Sequence, residues 1–191
     1  MIERTLVLIK PDAVQRALIG AIIKRIETTG LKIVAMKMVN ASKEQAGRHY
    51  ANDDAWLRSV GEKTLRSAEK RGVTLNRSAM EQGQWVRQVL IDFISMSPSV
   101  ALVIEGHGAL PKVRAICGGT NPQECPPGTI RGDYSIDSYQ LADAKKRAIQ
   151  NLVHASETKE EADREIAVWF TESEIQSWKR VDEDLIYREG P

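Results

Sequence analysis

Six polar side chains of this 191-residue chain stand at or near the ends of apolar runs, and together they make an inventory suited to phosphate. Lys10 closes the run Thr5-Leu6-Val7-Leu8-Ile9. Arg114 lies in a short helical stretch, Thr120 and Arg131 lie in a long loop, and Asn151 and His154 flank Leu152-Val153. Arginine forks grip phosphoryl oxygens in a bidentate fashion, and a neutral imidazole can attack phosphorus as a nucleophile. Each residue also has an ordinary alternative. A lysine after a strand commonly snorkels to solvent, and isolated arginines commonly form surface ion pairs of small energetic value. No Walker sequence and no Gly-x-Gly-x-x-Gly occurs, so a pre-built glycine cradle for phosphate is not expected.

Those residues need elements to hold them. Thr5 to Ile9 is rich in β-formers, and Pro11 restricts Lys10 to extended backbone, so the pattern predicts an internal strand that ends on an ammonium. Ile19, Ile22, Ile23 and Ile26 recur at i, i+3, i+4 and i+7, and Gly30 follows as a helix stop. Leu31 to Met38 reads as a second strand, and Ser42 caps a short helix reaching Tyr50. From Ala51 to Gln82 the periodicity weakens; it returns at Val86, Val89, Leu90 and Phe93, and Ser97-Pro98-Ser99 ends that helix. Val100 to Ile104 is a continuous apolar strand, and Pro111 suits the first turn of a helix ending near Cys117-Gly118-Gly119. Thr120 to Asp133 reads as a long ordered loop, Asp143 to Ile149 as a helical turn, and Leu152-Val153 as a very short strand ending in His154. Thr158-Lys159-Glu160-Glu161 has the capping-box form, opening a helix that buries Ala162, Ile166, Trp169 and Phe170. Ile175, Trp178, Leu185 and Ile186 dock part of the tail. The order β-α-β-α-α-β-α-loop-β-α predicts an α/β sandwich with helices on one face of a small sheet.

Composition narrows the class. Lys plus Arg is 27 and Asp plus Glu is 26, a net charge of +1. Such a chain has no global field for DNA or an anionic membrane, so any anion site is local. Residues 58–82 carry six basic and three acidic side chains, which reads as a solvated helical face rather than a nucleic-acid surface. No apolar run approaches the roughly 18 residues of a membrane span, and no signal peptide is read at the start. Cys117 and Cys125 make neither a disulfide framework nor a zinc set. The expectation is one domain over residues 1–191, cytoplasmic and without membrane partners.

The motifs resemble one family. Glu3-Arg4-Thr5-Leu6-Val7-Leu8-Ile9-Lys10-Pro11-Asp12-Ala13-Val14-Gln15-Arg16 resembles the opening of a nucleoside diphosphate kinase. Gly119-Thr120-Asn121-Pro122 followed by Pro127-Gly128-Thr129-Ile130-Arg131-Gly132-Asp133 resembles that family's nucleotide loop, and Asn151-Leu152-Val153-His154-Ala155-Ser156 resembles its active-site motif. The resemblance implies an α+β, ferredoxin-like sandwich: a small antiparallel sheet with helices packed on it. It implies a kinase that moves the γ-phosphoryl group of a nucleoside triphosphate to a nucleoside diphosphate by a ping-pong route through His154. Glu165 would hold the imidazole's other nitrogen, Ser156 would touch that carboxylate, and Lys10 would complete the catalytic set. Lys10, Tyr50, Arg114, Thr120, Arg131 and Asn151 match phosphate and sugar ligands. Mg²⁺ would be held by the nucleotide phosphates. A tetramer or hexamer of identical chains is implied as well.

The chain departs from the family's pattern in several places. Residues at about 55–82 and 135–147 read as insertions, and those from about 173 as an extension. Glu157 stands where the family carries Asp, a neighbour of Mg²⁺ through water. The alignment puts Val86, with Trp85 beside it, where an aromatic ring stacks on the base. These departures motivate one rival from another class, a nucleotide-binding regulatory protein with weakened catalysis. An RNA-binding module is a third reading, resting on element order and the basic segment. His49 and His107 carry no assigned role.

Overall fold

The computed structural model describes residues 2–190. In chain order the elements are β1 (Ile2–Ile9), α1 (Pro11–Gln15), α2 (Ile19–Glu27), β2 (Lys32–Val39), α3 (Lys43–His49), α4 (Asp54–Lys70), α5 (Ala79–Ile94), β3 (Ser99–His107), α6 (Ala109–Cys117), α7 (Ile130–Tyr134), α8 (Tyr139–Ala144), β4 (Val153–Ala155), α9 (Lys159–Trp169) and α10 (Glu183–Ile186). The four strands form one sheet in the order β2-β3-β1-β4, and every pairing is antiparallel.

β1 and β3 are central, and their uninterrupted apolar runs follow from burial on both faces. Val7, Ile9, Val100, Leu102 and Ile104 pack against α2 and α6 on one side. Leu6, Leu8, Ala101 and Val103 pack against Ala46 of α3, Ile91 and Ile94 of α5, and Ile166 and Trp169 of α9 on the other. Helices therefore cover both faces of the sheet, where element order alone predicted one. Leu6, Val7, Leu8 and Ile9 are fully buried, each stabilising the fold by about 1.5–3 kcal/mol relative to exposure.

The weakly patterned stretch after Ala51 is ordered. It contains α4, which runs beside α5 as a helical hairpin. Its buried residues are Leu57, Gly61 and Ala68, two of them small, so no strong apolar stripe marks it. The glycines set the spacing. A Cβ on Gly61 would lie 1.8 Å from the Ala79 carbonyl oxygen, and one on Gly83 would lie 2.0 Å from that of Leu57. Helix backbones approach this closely only where side chains are absent.

Two local expectations shift. The turn predicted at 143–149 is replaced by α8, capped by the Ser138 side chain accepting from the Leu141 N–H. The Thr158 hydroxyl caps α9 by accepting from the Glu161 N–H at 3.2 Å, but Glu161 reaches back to the N–H of Glu157 rather than of Thr158. Half of the capping box is thus displaced by one residue.

The tail follows the outer side of β2, at a bulge between Ile33 and Ala35. The Gln176 N–H donates to the Val34 carbonyl at 2.8 Å, Trp178 Nε1 donates to Ile33 O at 3.1 Å, and Arg180 donates to Leu31 O at 3.2 Å. Lys32 pairs with Glu183 at 3.1 Å. No helix among the described residues is long and apolar enough to cross a membrane.

Candidate active site

The end of the sheet where β1 finishes and β4 begins carries a cavity of about 300 Å³. Its walls include Lys10, Tyr50, Arg114, Thr120, Arg131, Asn151, His154, Glu157 and Glu165, so residues spread over more than 140 positions of sequence meet here. Ser156 sits behind this wall, fully buried against Glu165. Val86 and Trp85 do not line the cavity; the Arg77 guanidinium covers the Trp85 ring at 5.1 Å. The hairpin instead supplies Trp56 and Leu90 to the cavity. Leu90 lies one helical turn beyond Val86, and Trp56 comes from the helix that periodicity failed to mark.

β4 places His154 directly across from Leu8. The chain reaches that register through a tight γ-turn. The Val153 N–H donates back to the Asn151 carbonyl at 2.8 Å, with Leu152 between them at φ 68°. A buried, non-glycine residue in this left-handed region is strained by roughly 1–3 kcal/mol and persists only where neighbours over-determine it. Here they do: the Leu152 N–H donates to Asp12 Oδ2 at 3.0 Å, and its carbonyl accepts the Lys10 N–H at 2.8 Å.

His154 Nε2 lies 2.8 Å from Glu165 Oε2, and the Ser156 hydroxyl donates to the same oxygen at 2.7 Å. Burial pushes the Glu165 carboxyl upward, but attraction to His154 and the hydrogen bonds from His154 and Ser156 outweigh it and hold its pKa at about 2. The carboxylate is therefore charged at neutral pH, and the proton on this side of the ring belongs to Nε2. In the neutral ring this leaves the lone pair on Nδ1. His49 packs edge-on against the His154 ring, centroids 4.4 Å apart at 80°. Its Nδ1 accepts from Trp169 Nε1 at 3.2 Å. Burial, reinforced by repulsion from His154, lowers the His49 pKa to about 3, so this second imidazole is a neutral wall that blocks rotation of the first. Sequence reasoning left His49 without a role because its relation to His154 exists only through α3 packing on α9.

The cationic side has its own scaffold. Burial lowers the Lys10 pKa to about 8, with Asp12 opposing. Lys10 Nζ donates to Asn151 Oδ1, and Asn151 Nδ2 donates to the Thr120 carbonyl at 2.7 Å. Arg131 donates to the carbonyls of Asn151 at 3.1 Å, Gly118 at 2.7 Å, Gly119 at 3.0 Å and Val153 at 2.7 Å. A guanidinium has five N–H donors, so Arg131 ties together the segments carrying Thr120, Asn151 and His154 and retains one donor for the cavity. Arg114 is more exposed and lies 3.5 Å from Glu157. A bound polyanion would compete with that carboxylate for it.

The donor set also bears on metals. His49, His154 and Glu165 are close enough to form a cluster, but Glu165 already accepts from His154 and Ser156. Magnesium prefers hard oxygen donors in an octahedron, usually with water and phosphate among them. The cavity offers no all-carboxylate cage. Glu157 and Glu161 bring carboxylates to its lining.

The arrangement is a nitrogen nucleophile with a fixed tautomer, set beside lysine, arginine and amide donors in a partly enclosed cavity. It can hold a polyphosphate and accept a phosphoryl group on nitrogen.

Comparison with known proteins gives the same direction. A family model described as nucleoside diphosphate kinase matches residues 3–56 and 63–175. A nucleoside diphosphate kinase of Pyrobaculum aerophilum is 45% identical over 179 residues, spanning 91% of this chain and 98% of that protein. The crystal structure of an NDP kinase from the same organism superposes with a TM-score of 0.89 at 43% identity, covering 93% of this chain and 100% of the other. A transition-state mimic of the Borrelia burgdorferi enzyme with bound vanadate and ADP gives 0.78 at 37% identity, covering 96% of each.

Proposed function

The chain belongs to the nucleoside diphosphate kinase family, and we propose that it carries out that family's transfer through His154. The reaction is phosphotransfer between nucleotides. The observation that carries the residue assignment is the 2.8 Å link from His154 Nε2 to Glu165 beside Ser156.

In the first half-reaction the Nδ1 lone pair attacks the γ-phosphorus of a nucleoside triphosphate. An N–P bond forms, the bond from that phosphorus to the bridging oxygen breaks, and the diphosphate leaves with the electron pair. In the neutral ring, with its proton on Nε2 facing Glu165, Nδ1 carries none, so no base is needed to activate it. Positive charge that develops on the ring is met by the Glu165 carboxylate, already in place and partly desolvated. Lys10, Arg114, Thr120, Arg131 and Asn151 hold and neutralise the phosphates and sugar. Phosphoryl transfer depends on such positioning more than on covalent assistance. The second half-reaction returns the group to another diphosphate.

The family works with a divalent cation. Mg²⁺ is the ion we assign here; the nucleotide phosphates would hold it, with Glu157 the acidic side chain near them, and it would neutralise phosphate charge. Base preference is expected to be weak, because the assigned ligands are phosphate and sugar contacts with no base-edge reader. The rival reading, a regulatory protein with weakened turnover, took its motive from the two insertions and the missing aromatic match at Val86; Trp56 on the cavity wall speaks against the second of these. Three of the six basic residues behind the RNA-binding reading are engaged within the chain, which weakens it. Arg66 pairs with Glu62 at 2.9 Å, Arg71 pairs with Asp143, and Arg77 lies on Trp85.

One domain working in the cytoplasm as a tetramer or hexamer completes the proposal. Exposed Met36 and Met38 on β2 and Ile136 at 95% exposure favour burial between copies. A light-scattering mass equal to one chain would contradict the assembly. For the chemistry, the test is labelling with γ-phosphate-labelled ATP. The wild-type protein acquires an acid-labile phosphoryl group and H154A does not; equal labelling of H154A overturns the nucleophile assignment.

A further inference from the structure

The two segments read as insertions meet each other beside the nucleotide pocket. Arg71, at the C-terminal end of α4, pairs through Nη2 with Asp143 of α8, and the two side chains are 26% and 31% exposed. The same guanidinium lies 5.6 Å from the ring centroid of Tyr139, and its Nη1 donates to Ser67 Oγ at 2.6 Å. Tyr139 in turn lies beside the Thr120 side chain, which acts on its hydroxyl. Thr120 is a cavity residue whose carbonyl accepts from Asn151, and Asn151 accepts from Lys10. Polar side chains therefore line the way from the tip of the helical hairpin, through α8, to the lysine and asparagine of the pocket.

We infer that Arg71, Asp143 and Tyr139 form a clasp between the α4–α5 hairpin and the Thr120 loop, and that Tyr139 is a positioning residue for nucleotide binding. This rests on the reading of the cavity as a nucleotide site. The physical need is visible in the fold. The hairpin brings Trp56 to the cavity, but Arg71 lies fifteen residues further along, roughly 22 Å at helical rise. A hairpin fixed only near the cavity is a long lever. The clasp fixes its other end, and it does so against the loop that presents Thr120. Arg71 is suited to this because its planar fork can bond a carboxylate while its face covers an aromatic ring. Lysine could not do both. Nothing in the clasp touches His154 or Glu165, so its effect falls on substrate binding rather than on the chemical step.

The test uses the full-length enzyme and five variants: R71A, D143A, the double R71A/D143A, the charge-reversed pair R71D/D143R, and Y139F. Steady-state transfer from ATP to a diphosphate gives KM and kcat, and labelling of His154 at saturating ATP is measured alongside. R71A and D143A are expected to raise nucleotide KM roughly three- to tenfold, the loss of one charge-assisted bond at a partly buried site, with kcat within about twofold. The double variant should cost no more than either single one, because both remove the same link. The reversed pair should recover most of the loss. Y139F keeps the ring under Arg71 and removes only the hydroxyl, so it is the variant least able to disturb folding; a rise in its KM supports the link to Thr120. An unchanged KM in Y139F overturns that link, and a lowered melting temperature with unchanged KM in R71A and D143A overturns the clasp. Failure of wild-type protein to label on His154 is a separate result, which overturns the underlying reading instead.

Discussion

The carboxylate of Asp12 accepts the backbone N–H of Leu152 at 3.0 Å, across 140 positions of sequence. This bond joins the first turn of α1 to the strained residue two places before His154. It explains why an aspartate follows the Lys10-Pro11 pair: one short segment delivers a cation to the cavity and also pins the backbone that aims the nucleophile. Asp12→Ala should leave a buried N–H unsatisfied, costing about 1–3 kcal/mol of stability. It should also lower kcat by roughly tenfold, since displacing a reacting atom by an ångström is expensive. Urea melts and steady-state rates check this together; an intact kcat would show that the turn holds without Asp12.

Glu165→Gln keeps the shape of the site and removes its charge. The ring tautomer is then no longer enforced, and the charge formed on phosphorylation goes uncompensated. We expect kcat to fall by on the order of 10²-fold, while the KM for nucleotide changes little. Pre-steady-state measurement of phosphohistidine formation isolates the affected step; a normal rate there removes the carboxylate from the mechanism.

Acid should destabilise the protein in two stages. His49 has a folded-state pKa near 3 against an ordinary value of 6.5. Below 6.5 the unfolded chain binds a proton that the folded chain refuses, so stability falls as pH drops through that window. The limiting slope is about 1.4 kcal/mol per pH unit. Glu165, held near 2 against an ordinary 4.5, likewise binds fewer protons when folded and adds a second loss from 4.5 downward. Urea midpoints at pH 7 and pH 5 should therefore differ more in the wild type than in H49Q, whose amide oxygen can still accept from Trp169. Equal differences would mean that His49 titrates normally.

Trp56→Ala tests the aromatic wall. Stacking of a base on an aromatic ring is worth about 1–3 kcal/mol, so the KM for all nucleotides should rise by roughly tenfold or more, with purines affected at least as strongly as pyrimidines. Val86→Ala should leave KM within about twofold. The opposite pattern, a large effect at Val86 and none at Trp56, would return the stacking role to α5.

The particular residues show how far sequence could lead. Lys10, Asn151 and His154 were legible because each follows or flanks a short apolar strand, and the motifs around them fix their order. Glu165 was legible as a residue of a capped helix, although its near-complete burial comes from α3 and β1 packing over it. Arg131 was found as a cation, but its role as a tie among four backbone carbonyls depends on three segments arriving together. α4 was read only as a solvated helical face within 58–82, without bounds or a packed side, because a helix buried through glycine and alanine leaves no apolar period. Trp56 was missed with it, and Val86 was placed by alignment across a segment whose length alignment could not resolve. The second covered face of the sheet was also missed: a run such as Leu6 to Ile9 says that both faces are buried without saying by what.

The strap formed by Gln176, Trp178 and Arg180 has a bearing on handling as well as on architecture. β2 is the outermost strand on its side, and an uncovered strand margin is a template for uncontrolled pairing between molecules. By occupying the carbonyls of Leu31, Ile33 and Val34, the segment from Gln176 to Arg180 acts as a built-in guard rail. Shortening the chain to a minimal catalytic core would strip that protection, and the penalty would appear as clumping during preparation rather than as a slower enzyme.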